Sequence, residues 1–311
     1  MNTHTLPRPK AQVQPPKTQP PKTQPPKTQP PKTQPPKAPF SKAPFSKAPF
    51  SAARLTRTLL QETAPRAAFG QIVRNQARLA WRLPAGLIFG IGLPMLLLII
   101  FSQIPSFHQA QASFGGLTPF DVYVPILIAM VIAIIGLISL PGPLVTYRDQ
   151  GILRRLSTTP VPPSWVLAAQ LVVAFCITIT SLLILIVVSI AAFGLDVPKN
   201  PGALVLAIVL SIAALFAIGL CIAAVARTGV AARAIGAAAF YPMLFFSGMW
   251  FPRELMSGAL QDISNLTPLG AAVEAIQDSM QGQFPPAESL LVLAGYALVF
   301  TLIARRFFRW E

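Results

Sequence analysis

Six stretches of this chain, residues 84–104, 122–140, 166–193, 202–225, 234–251 and 287–304, carry no ionisable side chain in their interiors; Glu288 sits only at the edge of the last. Apolar runs near 20 residues match the roughly 30 Å hydrocarbon thickness of a bilayer. Lipid offers the backbone no hydrogen-bond partner, so each run must satisfy its own N–H and C=O groups, as a helix does. The expectation is an all-α membrane protein whose residues 84–311 form a six-span transmembrane domain. Composition agrees: 11% of the 311 residues are charged, against roughly 25% in soluble domains. The third run is long and the last two are short, which predicts tilt or projection for the one and re-entrant neighbours for the others.

The first 53 residues cannot join that core. Residues 14–37 read QPPKT five times, the last copy truncated, and residues 38–51 read APFSK almost three times. A five-residue period fits no solenoid unit, and paired prolines favour extended, solvated backbone. The expectation for 1–53 is a disordered Pro/Lys-rich tail, an expanded repeat rather than a lipid or groove ligand. It lacks the apolar stretch of a secretory signal.

A net charge of +15 raises the question of nucleic acid, but the distribution of the cations excludes it. Nine of the 25 Lys and Arg lie in the tail, and nearly all the others flank apolar runs, as membrane-bordering charges do. Fourteen arginines outside the tail fall on one side: Arg54, Arg57, Arg66, Arg74, Arg78 and Arg82 before the first run, Arg148, Arg154 and Arg155 between the second and third, Arg227 and Arg233 between the fourth and fifth, and Arg305, Arg306 and Arg309 at the end. Only Lys199 and Arg253 fall on the other, beside seven acids. Cations of short loops collect in the cytoplasm, so both termini are expected there, with the protein in the plasma (inner) membrane. Within 66–83, Phe69, Ile72, Val73, Gln76, Ala80 and Leu83 share one helical arc and Arg74, Arg78 and Arg82 the other. That pattern predicts an amphipathic helix lying in the membrane interface, its Arg stripe on headgroups.

The runs are as informative for what they lack. A proton-coupled carrier or cation channel normally places an ionisable group at membrane depth, and none is present. The only histidines, His4 and His108, fall outside the runs, and no Ser/His, paired-acid or metal-ligand spacing lies within them. Cys176 and Cys221 each sit in an apolar run, where they are expected to be small buried hydrophobes. No GxxxxGK[ST] loop exists to cradle ATP phosphates. The chain is thus expected to be no enzyme and to bind no cofactor or metal, which invites a partner that supplies the energy.

Between the second and third runs, Pro141-Gly142-Pro143 is expected to stop the helix, and YRDQGILRRLSTTPVPP follows over residues 147–163. A helix over 144–157 would place Val145, Ile152, Leu153 and Leu156 on one arc with Asp149 inside it, a surface suited to docking on protein rather than lipid. The segment closely resembles a cytoplasmic motif of the type-2 membrane subunits of ATP-binding-cassette (ABC-2) exporters, including antibiotic and multidrug permeases. Arg148, Asp149, Gly151, Ile152, Leu153, Leu156, Thr159, Pro160 and Val161 match that pattern, whereas Tyr147 stands where an acid is usual. The resemblance implies an ATPase-coupling loop built from Arg148, Asp149, Gly151, Leu153, Arg154, Arg155, Leu156, Thr159 and Pro160.

A second stretch is similar to the same family: SGMWFP over 247–252, a loop, then NLTPLGAAVEAIQDSMQG over 265–282. Phe251-Pro252 ends the fifth run and Pro268 can open a helix. The resemblance implies that this outer region, with Gly248, Phe251, Pro252, Pro268 and Glu274, closes the outer end of a substrate path. Together the two stretches imply a permease subunit of a multidrug-efflux kind of exporter. It would pair as a homodimer or as a heterodimer with a similar permease, amid membrane lipids, and stand on a separate ATPase subunit that holds ATP and Mg. The competing reading is a six-span scaffold or assembly factor that transports nothing.

Overall fold

The computed structural model describes residues 69–80, 88–111, 116–152, 162, 164–250 and 256–307. All belong to the second of two units, Ser51–Glu311; the repeat tail lies outside the described residues. The elements are helical throughout this described set. In chain order they are α1 (residues 69–80), a π-helical turn Ile88–Gly92 leading into α2 (Leu93–Ser102), and α3 (Pro119–Ala133). A π-helical segment, Ile134–Ser139, joins α3 to α4 (Pro141–Asp149). Then follow α5 (Ser164–Phe193), α6 (Pro201–Val225), α7 (Gly229–Phe246), α8 (Gly258–Leu266), α9 (Pro268–Gln281) and α10 (Ala287–Phe307).

Among the described residues, five helices are long and apolar enough to cross a membrane: Pro119–Asp149, Ser164–Phe193, Pro201–Val225, Gly229–Phe246 and Ala287–Phe307. This corrects the expected count of six. Among the described residues, the apolar run at 84–104 holds a shorter apolar helix, Gly90–Ser102, about 20 Å long at 1.5 Å per residue; residues 84–87 lie outside the described residues. Its length is limited at the far end by Pro105, where the chain turns into a 3-10 turn, Pro105–His108. It packs along α3: Phe101 meets Tyr123 at 4.9 Å between ring centroids, and Phe107 meets the same ring at 5.7 Å.

The expected interfacial helix also needs correction. Residues 69–80 are helical, with Arg74 and Arg78 exposed, and the opposite arc rests in part on protein, Phe69, Ile72, Val73 and Ala80 being half-buried. Gln76 is buried and accepts a 2.8 Å hydrogen bond from the Tyr147 hydroxyl, and the Phe69 ring meets Trp165 edge-on at 5.8 Å. Arg82 and Leu83 lie outside the described residues.

α3 is the centre of the bundle: from Val124 to Leu137 every side chain is buried. Thr118 and Asp121 begin it with a reciprocal capping box, the Asp121 amide donating to Thr118 Oγ1 and the Thr118 amide to Asp121 Oδ2. Pro141-Gly142-Pro143 does not stop the helix as expected. The backbone widens instead into the π segment, where the Leu140 amide reaches back five residues to the Ile135 carbonyl, and α4 continues with Pro141 at its first position, where a missing N–H is tolerated. Pro141 has no N–H to offer the Gly136 or Leu137 carbonyl, and two neighbouring helices close on both. A Cβ on Gly219 of α6 would stand 2.0 Å from the Gly136 oxygen, and one on Gly236 of α7 would stand 1.9 Å from the Leu137 oxygen. Only glycine permits such backbone approach, which brings Cα–H groups onto the carbonyls.

Candidate functional site

The bundle has two chemically distinct ends. One carries the end of α4, the start of α5, the α6–α7 turn and the end of α10, with Arg148, Arg227, Arg233, Arg305 and Arg306. The other carries Asp121, Asp196, Lys199, Asp278 and Glu288 at the opposite termini of the same helices.

At the basic end, α4 runs to Asp149 and stops at Gly151, whose φ of +66° is a left-handed conformation suited to glycine. Leu144 and Val145 are buried, and Tyr147 and Arg148 half-buried. Each of these polar residues is tied to a different element. Tyr147 holds α1 through Gln76. Arg148 reaches 75 residues ahead to the carbonyls that end α6: Nη1 donates to Ala223 and Ala224, each at 3.4 Å, and Nη2 donates to Ala226. Those carbonyls form the negative end of a 25-residue helix, so a guanidinium there both caps and neutralises it. Thr146 lies against α7, where a Cβ on Gly229 would meet Thr146 Oγ1 at 2.4 Å. Asp149 and Gln150, by contrast, are exposed. Asp149 is exposed at the end of α4, and the helix expected over 144–157 is interrupted at Gly151; Leu153 and Leu156 of the expected arc lie outside the described residues.

Of the other residues expected in the coupling loop, Gly151 ends the helix as described, and Leu153, Arg154, Arg155, Leu156, Thr159 and Pro160 lie outside the described residues.

At the opposite end, α8 and α9 form a helical hairpin between α7 and α10. Thr267 both receives α8, donating through Oγ1 to the Ser264 carbonyl at 2.8 Å, and caps α9, accepting from the Gly270 amide at 3.1 Å. Ser264 donates to the Phe246 carbonyl at 2.5 Å, fixing the hairpin's bend on the last turn of α7. A Cβ on Gly270 would lie 2.0 Å from the Ser264 oxygen, so the two arms meet backbone to backbone. α9 then runs back out along α3 and α6 with Leu269, Ala271, Ala272, Val273, Ala275 and Ile276 fully buried. The hairpin thus lies between the ends of α7 and α10, against α3 and α6. Pro268 opens α9 as expected. Gly248, buried with φ +94°, turns the chain out of α7. Glu274 is half-buried on α9, where its Oε2 accepts a hydrogen bond from the fully buried Ser289 hydroxyl of α10. Phe251 and Pro252 lie outside the described residues.

No group of three or more metal-ligating side chains occurs among the described residues. Over residues 67–280, from α1 to the end of α9, the sequence matches the family model described as ABC-2 type transporter. The chain belongs to that family. No individual curated protein matches it. As an ABC-2 type permease it is a multi-pass integral membrane protein and a non-catalytic component of a transport system, and membership implies an ABC ATPase as its partner subunit. The match includes α1, α4 and the α8–α9 hairpin, so both constellations described above belong to the permease; α10 follows the matched region.

Proposed function

We propose that this ABC-2 permease is the path-forming subunit of an exporter for amphipathic compounds of the antibiotic or multidrug kind. In this reading it pairs with a second copy or a similar permease and is driven through residues 147–163 by a separate ATPase. The single observation that carries the reading is the build of the α4 end. Exposed Asp149 and Gln150 stand beside residues tied to three other helices, so a push on the projecting surface moves the bundle rather than a slack loop.

Pairing is supported by α7. It is the least apolar of the five long helices, yet it leaves Val230, Ile235, Tyr241 and Phe245 uncovered within one chain. The charge asymmetry between the two ends supports cytoplasmic placement of the basic end in the plasma membrane. The re-entrant α8–α9 hairpin is then the element that closes the outer end of the path.

The test is purification of the full chain from its native membrane in mild detergent, alone and as Asp149→Lys and Gly151→Leu. A soluble ATPase with a phosphate-binding Gly-Lys-Ser/Thr loop should accompany the unmodified chain. Asp149→Lys should weaken that association and abolish transport in vesicles at equal membrane abundance, and Gly151→Leu should do the same by straining a left-handed turn. Unmodified transport by both variants, or repeated purification without an ATPase, returns the chain to the scaffold reading.

A further inference from the structure

α6, like α7, is tied at both ends of the bundle to the two constellations. At the basic end the carbonyls of Ala223 and Ala224 in its last turn, and of Ala226 just beyond it, receive the Arg148 guanidinium. At the other end the chain entering α6 is stitched to the end of α9. The Lys199 amide donates to the Met280 carbonyl and the Asn200 amide to the Ser279 carbonyl, each at 3.3 Å, while a Cβ on Gly282 would sit 2.9 Å from Lys199 Cβ. Asn200 also caps α6, its Oδ1 accepting from the Ala203 amide at 3.1 Å. Between these ties α6 is 25 unbroken residues with its only proline at the first position, about 37 Å of regular helix. Its neighbours are less suited to carry a displacement end to end. The α3–α4 path passes through the π segment, and α7 contains Pro242, both sites where a helix bends.

We infer that Arg148 is a positioning residue that makes α6 a strut between the α4 end and the α8–α9 hairpin: movement at residues 147–152 is delivered through α6 to the outer end of α9. The planar guanidinium suits the task, because its fork of donors spans several carbonyls at once where an ammonium is a single point charge. The functional meaning rests on the reading of residues 147–163 as the ATPase-facing segment. The mechanical claim does not, and is tested without any ATPase.

Hydrogen–deuterium exchange is followed by mass spectrometry on the full chain in lipid nanodiscs. Arg148→Gln should speed exchange in the last turn of α6 and also, by about fivefold, the low end of coupling between linked sites, at 199–200 and 278–283. Arg148→Lys should restore part of the protection at both places. Exchange at the Thr118–Asp121 capping box, which shares the outer end but not the α6 tie, should stay at the unmodified rate. Linkage requires the converse: Lys199→Pro, which deletes one outer donor, should speed exchange in the last turn of α6. A rise confined to that turn in Arg148→Gln, an equal rise at the capping box, or an unmoved last turn in Lys199→Pro each overturns the strut. Failure to co-purify an ATPase would instead count against the functional reading alone.

Discussion

The Arg148 guanidinium donates to the Ala226 carbonyl, joining the last turn of α4 to the first residue beyond α6 across 78 positions of sequence. Charged hydrogen bonds of this kind contribute about 1.5–3 kcal/mol each when half-buried. Arg148→Ala should therefore lower the thermal midpoint of the detergent-solubilised permease by several degrees, with Arg148→Lys intermediate. An alanine variant that melts with the unmodified chain would show that the helix end is satisfied equally well by water.

The glycine crossing gives a sharper expectation. Gly219→Ala and Gly236→Ala each place a methyl about 2 Å from a carbonyl oxygen in the π segment, so α6 or α7 must move off α3. Overpacking of that order costs about 1–3 kcal/mol. Both variants should show reduced folded yield by fluorescence size-exclusion chromatography. Gly295→Ala on α10, with nothing within 4 Å of the added Cβ, should be neutral or slightly stabilising. Equal yields from all three would mean that the crossing relaxes freely.

Ser289 is fully buried and its hydroxyl donates to Glu274. Ser289→Ala removes a donor from a carboxylate that water reaches only in part, at a cost of about 1–3 kcal/mol. Glu274→Gln keeps the acceptor and should be milder, whereas Glu274→Leu abandons the tie between α9 and α10. The order of thermal midpoints should be unmodified, Glu274→Gln, Ser289→Ala. A Gln variant as damaged as the Ala variant would show that the charge, not the hydrogen bond, matters.

With Cys176 and Cys221 replaced by serine, single cysteines at Arg227 and Arg305 should react with a membrane-impermeant maleimide from one side of sealed vesicles only. Cysteines at Asp196 and Gln283 should react from the other. These positions are exposed and lie at opposite ends of the same helices. The basic pair should label from the cytoplasmic face. Labelling of Arg227 and Asp196 from the same side would overturn the disposition of α6.

Helix class and the apolar runs were legible because composition and local spacing encode them, and the family was legible from the motifs at 147–163 and 247–282. What was not legible depended on contacts distant in sequence or on backbone adaptation. Pro141 and Pro143 signal a stop by local rules, yet the helix survives because the π segment accommodates the proline and because Gly219 and Gly236, 83 and 99 residues from Gly136 and Leu137, fit against the widened turn. The apolar arc of residues 69–80 suggested a lipid-facing stripe; the partner that takes up part of it, Tyr147, is 71 residues from Gln76. Arg148 looked like one more boundary cation, since nothing near it in sequence names the end of α6 as its target. For Asp149, the left-handed turn at Gly151 interrupts the helix that local periodicity predicted over 144–157.

The burial of α3 also dictates an order of assembly. It leaves the ribosome before every helix that lines it from Pro201 onward, so α3 and its π segment must wait in the bilayer while α6, α7 and α9 are still being made. Lipid makes the wait inexpensive for an apolar helix, since hydrocarbon is as good a neighbour as leucine. The widened turn is different: its carbonyls receive their glycine neighbours only when α6 and α7 arrive. A nascent chain cut short after α5 should therefore be integrated yet unfinished, recognisable to quality-control proteases by its central helix rather than by its ends.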